Sequence, residues 1–256
     1  MENQERFSRL ASFICDFDDD EPFSDQDLRA IDAIEAQFQS SLRNKRNERM
    51  RLPEMKFGGH ISYCKTATGA DKISLELLKI VQQNKREMVQ TVLGFDIEWR
   101  PSFTTSVPNG KAAVVQIYAG TGRCYVLQII HSGIPQNLQL MLEDPEILKV
   151  GVNIANDARK LFNDYKVSVK GLEDLSFLAN QKLGGNVRYR SLAHLTEKLL
   201  SKELPKPSRI RMGNWESNPL SDEQIEYAAI DAYASWYLFK VLKDLPNIAR
   251  EAVVEE

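Results

Sequence analysis

The chain has 256 residues, 43% hydrophobic and 27% charged, which suits one sizeable folded domain plus an extension, or two small domains, and argues against collagen-like repeats, a coiled coil and wholesale disorder. Lysine and arginine total 33 against 36 acids, a formal charge of −3, so any contact with nucleic acid must be local rather than a coat of net charge. Cys15, Cys64 and Cys124 are far apart with no CxxC pair, which predicts neither disulfide framework nor zinc ribbon and points to a reducing compartment.

Residues 1 to about 55 differ from the rest. The acidic run Asp16 to Glu21 precedes Pro22 and reads as a solvated spacer; Glu21 stands where a calcium loop needs glycine. Between Ser24 and Leu42, the residues Leu28, Ile31, Ile34, Phe38 and Leu42 recur at helical spacing behind a Ser24/Asp27 cap. They predict a helix with one apolar stripe, which binds a partner, packs on the chain's own domain or frays in solution. The basic cluster Arg43 to Arg51 reads as a solvated charge run, with nuclear import or phosphate contact as alternatives. The organisation expected is a partly disordered extension at 1–55, a folded domain at 56–246 and a short tail at 247–256.

From about residue 90 the apolar period becomes two. In Thr91 to Trp99, Leu93, Phe95, Ile97 and Trp99 share one strand face and Val92, Gly94, Asp96 and Glu98 the other. Ala112 to Ala119 and Cys124 to Ile130 predict two more strands, joined as a hairpin through Gly120-Thr121-Gly122-Arg123. Then follow a predicted helix at Asn137 to Glu143, a strand at Lys149 to Val152, and helices at Asn156 to Tyr165, Leu172 to Leu183, Leu192 to Leu200 and Asp222 to Leu242. A hairpin followed by alternating strands and helices predicts an α/β fold, a mixed sheet flanked by helices. There is no GxxxxGK[ST] phosphate loop and no membrane-length apolar run, and the N-terminus lacks a secretory pattern, so a soluble intracellular protein without membrane partners is expected. His60, His131 and His194 fit no clustered zinc spacing.

With 36 acids in the chain, chance alone yields about five acid-x-acid triplets, so only context gives such a triplet meaning. Asp96 and Glu98 project from one face of an otherwise apolar strand. Two such charges about 4 Å apart repel by roughly 1 kcal/mol in water and about 4 at an effective dielectric of 20. A bound proton or a bound cation relieves that repulsion. The predicted last helix opens with the capping box Ser221/Gln224 and carries Tyr227 and Asp231 one turn apart on one face. Asp157 lies in the first turn of the predicted helix after Lys149 to Val152, where an acid serves either as an ordinary cap or as a further ligand. Four hard carboxylates without histidine or cysteine would select magnesium or manganese.

The blocks Gly94-Phe95-Asp96-Ile97-Glu98-Trp99, Gly151 to Asp157 and Gln224 to Ala234 resemble the three exonuclease motifs of the DEDDy class of 3′-5′ exonucleases, within the DnaQ-like superfamily. The chain resembles the Werner syndrome-like exonucleases of that class, above all their stand-alone plant form. Met55 to Gly59, Trp99 to Phe103, His131 to Gln136, Glu173 to Leu175 and Arg209 to Trp215 extend the resemblance over about 55–246. Asn153, Ala155-Asn156 and Ile230 depart from the usual pattern without removing an acid, and Asn186 to Ser191 lacks a usual tryptophan.

The resemblance implies a ribonuclease H-like sheet of the DnaQ-like exonuclease fold, with two Mg2+ or Mn2+ ions held by Asp96, Glu98, Asp157 and Asp231. It implies hydrolysis of a DNA 3′ end in repair or recombination, a nuclear location and a separate RecQ-type helicase as partner. Tyr227, with an ordinary pKa near 10, is a poor base at neutral pH and is expected to orient the attacking water. Arg100, Lys160, Arg188, Arg190, Lys206, Arg209 and Arg211 are candidate phosphate contacts or solvated charges. Trp99 stacks on the terminal base or, as alternation suggests, packs in the core. Two alternatives share these acids or this organisation: an exoribonuclease of the ribonuclease D sort, and a catalytically silent adaptor acting through the Ser24 to Leu42 helix.

Overall fold

The computed structural model of the chain describes Ala33 and residues 52–102, 108–184 and 190–247. The chain divides into two units, Met1–Asn47 with Ser102–Pro108, and Glu48–Pro101 with Asn109–Glu256; the sheet and its flanking helices belong to the second. The expected helix at Ser24 to Leu42 and the basic cluster lie outside the described residues, apart from Ala33, which is helical.

The elements run β1 (His60–Cys64), α1 (Ala67–Arg86), β2 (Val92–Trp99), β3 (Ala112–Tyr118), β4 (Arg123–Leu127), α2 (Ile129–Ser132), α3 (Gln136–Glu143) and β5 (Leu148–Gly151). They continue with α4 (Ile154–Tyr165), β6 (Leu172–Asp174), α5 (Leu175–Leu183), α6 (Leu192–Leu200), α7 (Ser208–Arg211) and α8 (Asp222–Asp244). One mixed sheet of 6 strands has the order β1-β4-β3-β2-β5-β6. β2 is antiparallel to β3 and parallel to β5.

Alternation along β2 divides the core as expected. Leu93, Phe95 and Ile97 join Val115 and Ile117 of β3 in a cluster with Ile73 and Leu77 of α1, Met141 of α3 and Leu161 of α4. On the opposite face α8 packs across β2 and β3, and its alanines Ala228, Ala229 and Ala232 sit with Val114, Tyr118 and Trp215. Small residues let that helix approach closely. Gly94 has no Cβ where one would lie 2.0 Å from the Ala232 carbonyl oxygen.

Four features differ from expectation. β1 and α1 lie before residue 90, where no element was anticipated; Thr66 caps α1 by accepting from Gly69 N–H, and Ile73 and Leu77 supply its buried face. The strand expected over Cys124 to Ile130 ends at Leu127, because Gln128 caps α2; its fully buried amide bonds to the Trp215 and Ser217 carbonyls at 3.3 and 2.6 Å and also accepts from the Tyr63 hydroxyl. The helix expected from Leu172 begins at Leu175; Leu172 to Asp174 pair with β5 as a sixth strand, and Asp174 caps the helix through Ser176 N–H at 2.8 Å. The short helices α2 and α7 were also not anticipated. No helix among the described residues is long and apolar enough to cross a membrane.

Candidate active site

β2 and β5 are parallel neighbours, and the acids stand toward or just beyond their carboxyl ends, the edge of an open α/β sheet at which ligands bind. Asp96 and Glu98 are half-buried on the α8 face of β2. Above them, Ser221 caps α8 in a reciprocal capping box with Gln224, the two bonds measuring 3.2 and 3.1 Å. That cap starts the helix in the register that lays Tyr227 and Asp231 one turn apart over β2; both are buried, Asp231 at 3% exposure. Oxygens of Asp96, Glu98 and Asp231 all lie within 4.8 Å of one another.

Asp157 reaches the site from α4. The helix starts at Asn153, held in the left-handed region at φ 61°, with no side-chain cap. Asp157 therefore sits in the first turn without capping it, buried, facing the charges of Asp96 and Asp174. It is not one of the three acids within 4.8 Å, yet its charge is felt by Glu98 as well.

Burial and crowding hold all four acids toward their protonated forms. Desolvation first, then the Asp231 charge, lifts Asp96 from 3.8 to about 7, against the Ile97 N–H at 2.9 Å, Lys206 and the Gln116 amide. Glu98 is pushed well above its ordinary value by burial and by Asp96, Asp231 and Asp157. Asp157 is raised well above its own, by burial, Asp96 and Asp174, and Asp231 is raised by burial, with Lys206 and a hydrogen bond from Tyr227 opposing. Burial and these carboxylates also keep the Tyr227 phenol protonated.

For Asp96 the sign of the linkage is fixed. Its folded pKa lies above its unfolded one, so its stabilising contribution is present below pH 3.8 and lost as pH rises to about 7. The Asp96 contribution to the ion-free protein's melting temperature, read as wild type minus Asp96→Asn, should therefore fall over that range. Thermal melts of both proteins across pH in EDTA check this; a wild-type-minus-variant difference that rises through the same window would contradict it.

The donors fit a divalent cation. Oxygens from three acids converge, one of them, Asp231 Oδ1, is buried with no hydrogen-bond partner, and all are the hard ligands that magnesium and manganese take. Among the described residues, the Lys206 ammonium is the cation that acts on Asp96, Glu98 and Asp231 alike.

The other basic candidates are dispersed. Arg211 is exposed and acts on Tyr227, Arg209 pairs with Glu223 at 2.8 Å, and Arg100 with Glu216 at 3.7 Å. Lys160 is engaged by the Gly110 carbonyl at 2.7 Å and Asp164 at 2.9 Å; its ammonium lies 5.3 Å from the Trp99 ring centre. Trp99 itself packs against the α1 side of the sheet, as alternation indicated, after a register shift beside Glu98. Arg190 corrects the sequence reading: it is buried, its guanidinium bonded to Asn180 at 3.0 Å and the Gly184 carbonyl at 3.0 Å, where it closes the end of α5 rather than facing solvent. Arg188 lies outside the described residues. Gln116, which sequence reasoning did not single out, pairs with Asp96 across the β2–β3 ladder; its signal was a lone polar side chain in an apolar strand.

Residues 65–245 match the 3′-5′ exonuclease family. A 3′-5′ exonuclease of Arabidopsis thaliana is 55% identical over 196 residues, which cover 77% of this chain and 68% of that protein. The bifunctional 3′-5′ exonuclease/ATP-dependent helicase WRN of Mus musculus is 33% identical over 78% of this chain and only 14% of its own length. A 3′-5′ exonuclease of Drosophila melanogaster is 33% identical over 75% of this chain, which spans about half of the fly protein (55%). Among solved structures, the Aedes aegypti Nibbler EXO domain has a TM-score of 0.57 at 18% identity, covering 72% of this chain and 87% of that one. Trypanosoma brucei RNase D in complex with RNA U12 has a TM-score of 0.61 at 20% identity, covering 74% and 65%. These two share the fold, which is ribonuclease H-like. The fold, the gathered acids and a sequence match running through every one of them make this chain a member of the 3′-5′ exonuclease family.

Proposed function

We propose that the chain shortens DNA from its 3′ end by hydrolysis with two divalent ions, as a DEDDy-type exonuclease. The observation that carries the reading is the convergence of Asp96, Glu98 and Asp231 oxygens within 4.8 Å in a site buried enough to resist holding bare charge. Those three acids would hold one ion, and Asp157 with Asp96 a second. When bound, the ions supply a lowered pKa for the attacking water and stabilisation of the leaving 3′ oxygen.

The chain's own residues do the placing. Tyr227 bonds to the Asp231 carboxylate, and burial with the nearby acids holds its phenol protonated. It cannot serve as the base, and its hydroxyl oxygen is left to orient the incoming water. Tyr227→Phe should lower kcat by about 10- to 100-fold with KM little changed, as single-turnover kinetics read out. Lys206 would take the phosphate nearest the acids, with Arg211 and Arg209 of α7 along the strand's path.

Support for work beside a helicase is the 33% identity to the mouse protein, which joins an exonuclease to an ATP-dependent helicase. The basic cluster Arg43 to Arg51 supports a nuclear location, where repair or recombination supplies such ends. The test is degradation of 5′-labelled recessed DNA beside an RNA strand of the same sequence, with Mg2+ or Mn2+. The expected result is a ladder shortening from the DNA 3′ end; degradation of RNA with DNA left intact would replace this substrate with an exoribonuclease's.

A further inference from the structure

Among the described residues, the buried side-chain atoms without a hydrogen-bond partner are Nε2 and Oε1 of Gln116 and Oδ1 of Asp231. Buried polar atoms are rarely left so, because an unpaired one forfeits its hydration. Asp231 belongs to the acid cluster. Gln116 does not.

Gln116 is the single polar residue of β3, AAVVQIY, and is 0% exposed. Its Cα pairs with that of Asp96 across the antiparallel ladder, and residues so opposed project to the same face with Cβ atoms about 4.5 to 5.5 Å apart. Val114 and Tyr118 along the strand and Val126 across from it on β4 surround it on that face, with Glu98 one pair further along the ladder, opposite Val114. Leucine or methionine would suit those surroundings better than an amide. What a glutamine meets here, and they would not answer, is the Asp96 carboxylate, on whose charge the amide already acts.

We propose that Gln116 is a positioning residue for Asp96: its amide N–H closes on the ion-loaded carboxylate from across the ladder, while the Ile97 N–H holds Oδ1 at 2.9 Å. Two donors from different strands fix the plane of the group and leave its remaining lone pairs to the divalent ion. Outer donors of this kind set the orientation and basicity of a ligand, and losing one lowers metal affinity or activity by about 10- to 100-fold. The inference rests on the proposed binding of divalent ions by these acids.

The test uses the full chain with Gln116→Met, which keeps the volume and removes the amide, beside Asp96→Asn. Mn2+ binding is measured by calorimetry, stability by melting in EDTA, and kcat and KM on a labelled DNA 3′ end. Gln116→Met should bind Mn2+ about 10- to 100-fold more weakly and lose kcat with KM unchanged. Its melting temperature in EDTA should hold or rise, since an unpaired buried amide is gone. Wild-type Mn2+ affinity in Gln116→Met overturns the inference, and a lowered melting temperature with unchanged affinity does so by assigning the residue to packing alone. If Gln116→Met does not fold, Gln116→Asn, whose amide stops one carbon short, should show the same loss of affinity. Should Asp96→Asn bind Mn2+ like the wild type, the metal reading itself fails; should it lose binding while Gln116→Met keeps it, only this inference does.

Discussion

Asp96→Asn should lower kcat at saturating Mg2+ by about 1,000-fold or more, and at the same time make the ion-free protein more stable above neutral pH. Asp96 is one of the three acids whose oxygens lie within 4.8 Å of one another. Ion-assisted charge stabilisation is worth several kcal/mol, and each 1.36 kcal/mol is a factor of ten in rate. The gain in stability has a separate origin. With a folded pKa of about 7, Asp96 is an unfavourable, crowded charge at pH 8 and largely neutral at pH 5. The variant should therefore melt above the wild type in EDTA at pH 8 and close to it at pH 5. A variant both inactive and less stable at pH 8 would mean that Asp96 serves the fold rather than the chemistry.

Gly94→Ala should damage the site without touching an acid. A Cβ at Gly94 would lie 2.0 Å from the Ala232 carbonyl oxygen, and 2.8 and 2.9 Å from Cβ and N of Trp236. These are mostly backbone atoms of α8, so the helix itself must move off the sheet, and overpacking of this kind costs about 1–3 kcal/mol. Asp231 is the residue before Ala232, so the shift carries its carboxylate away from Asp96. A misplacement of about 1 Å costs on the order of 100-fold in rate. The expected result is a lowered melting temperature and a kcat down by about that factor in a protein that keeps its circular dichroism spectrum. Wild-type kcat in a folded Gly94→Ala would show that the close approach of α8 does not set the site.

Three of the acids were legible in the sequence because each broke a local pattern, Asp96 and Glu98 in an apolar strand and Asp231 among alanines one turn from Tyr227, whereas Asp157 reads as an ordinary first-turn acid. The alternation of β2, the β3–β4 hairpin and the capping box of α8 were legible for the same reason, being short-range patterns that the tertiary structure reinforces. Three features were not legible because their causes are long-range. Leu172 to Asp174 form a strand only because β5 offers an open edge. β4 gives way at Gln128 to the cap of α2, its buried amide held by carbonyls 87 and 89 residues away. Arg190 reads as a surface charge until the end of α5 is seen to claim it. Gln116 is intermediate: its oddity was visible in AAVVQIY, but its partner came only with the register that sets it opposite Asp96.

The most direct measurement is anomalous scattering from crystals of the chain grown with a DNA 3′ end and soaked in Mn2+. Manganese peaks within ligand distance of Asp96, Glu98 and Asp231, with a second peak toward Asp157, are what the account predicts. An enzyme that hydrolyses DNA in Mn2+, yet shows its manganese elsewhere and these carboxylates apart, would contradict it.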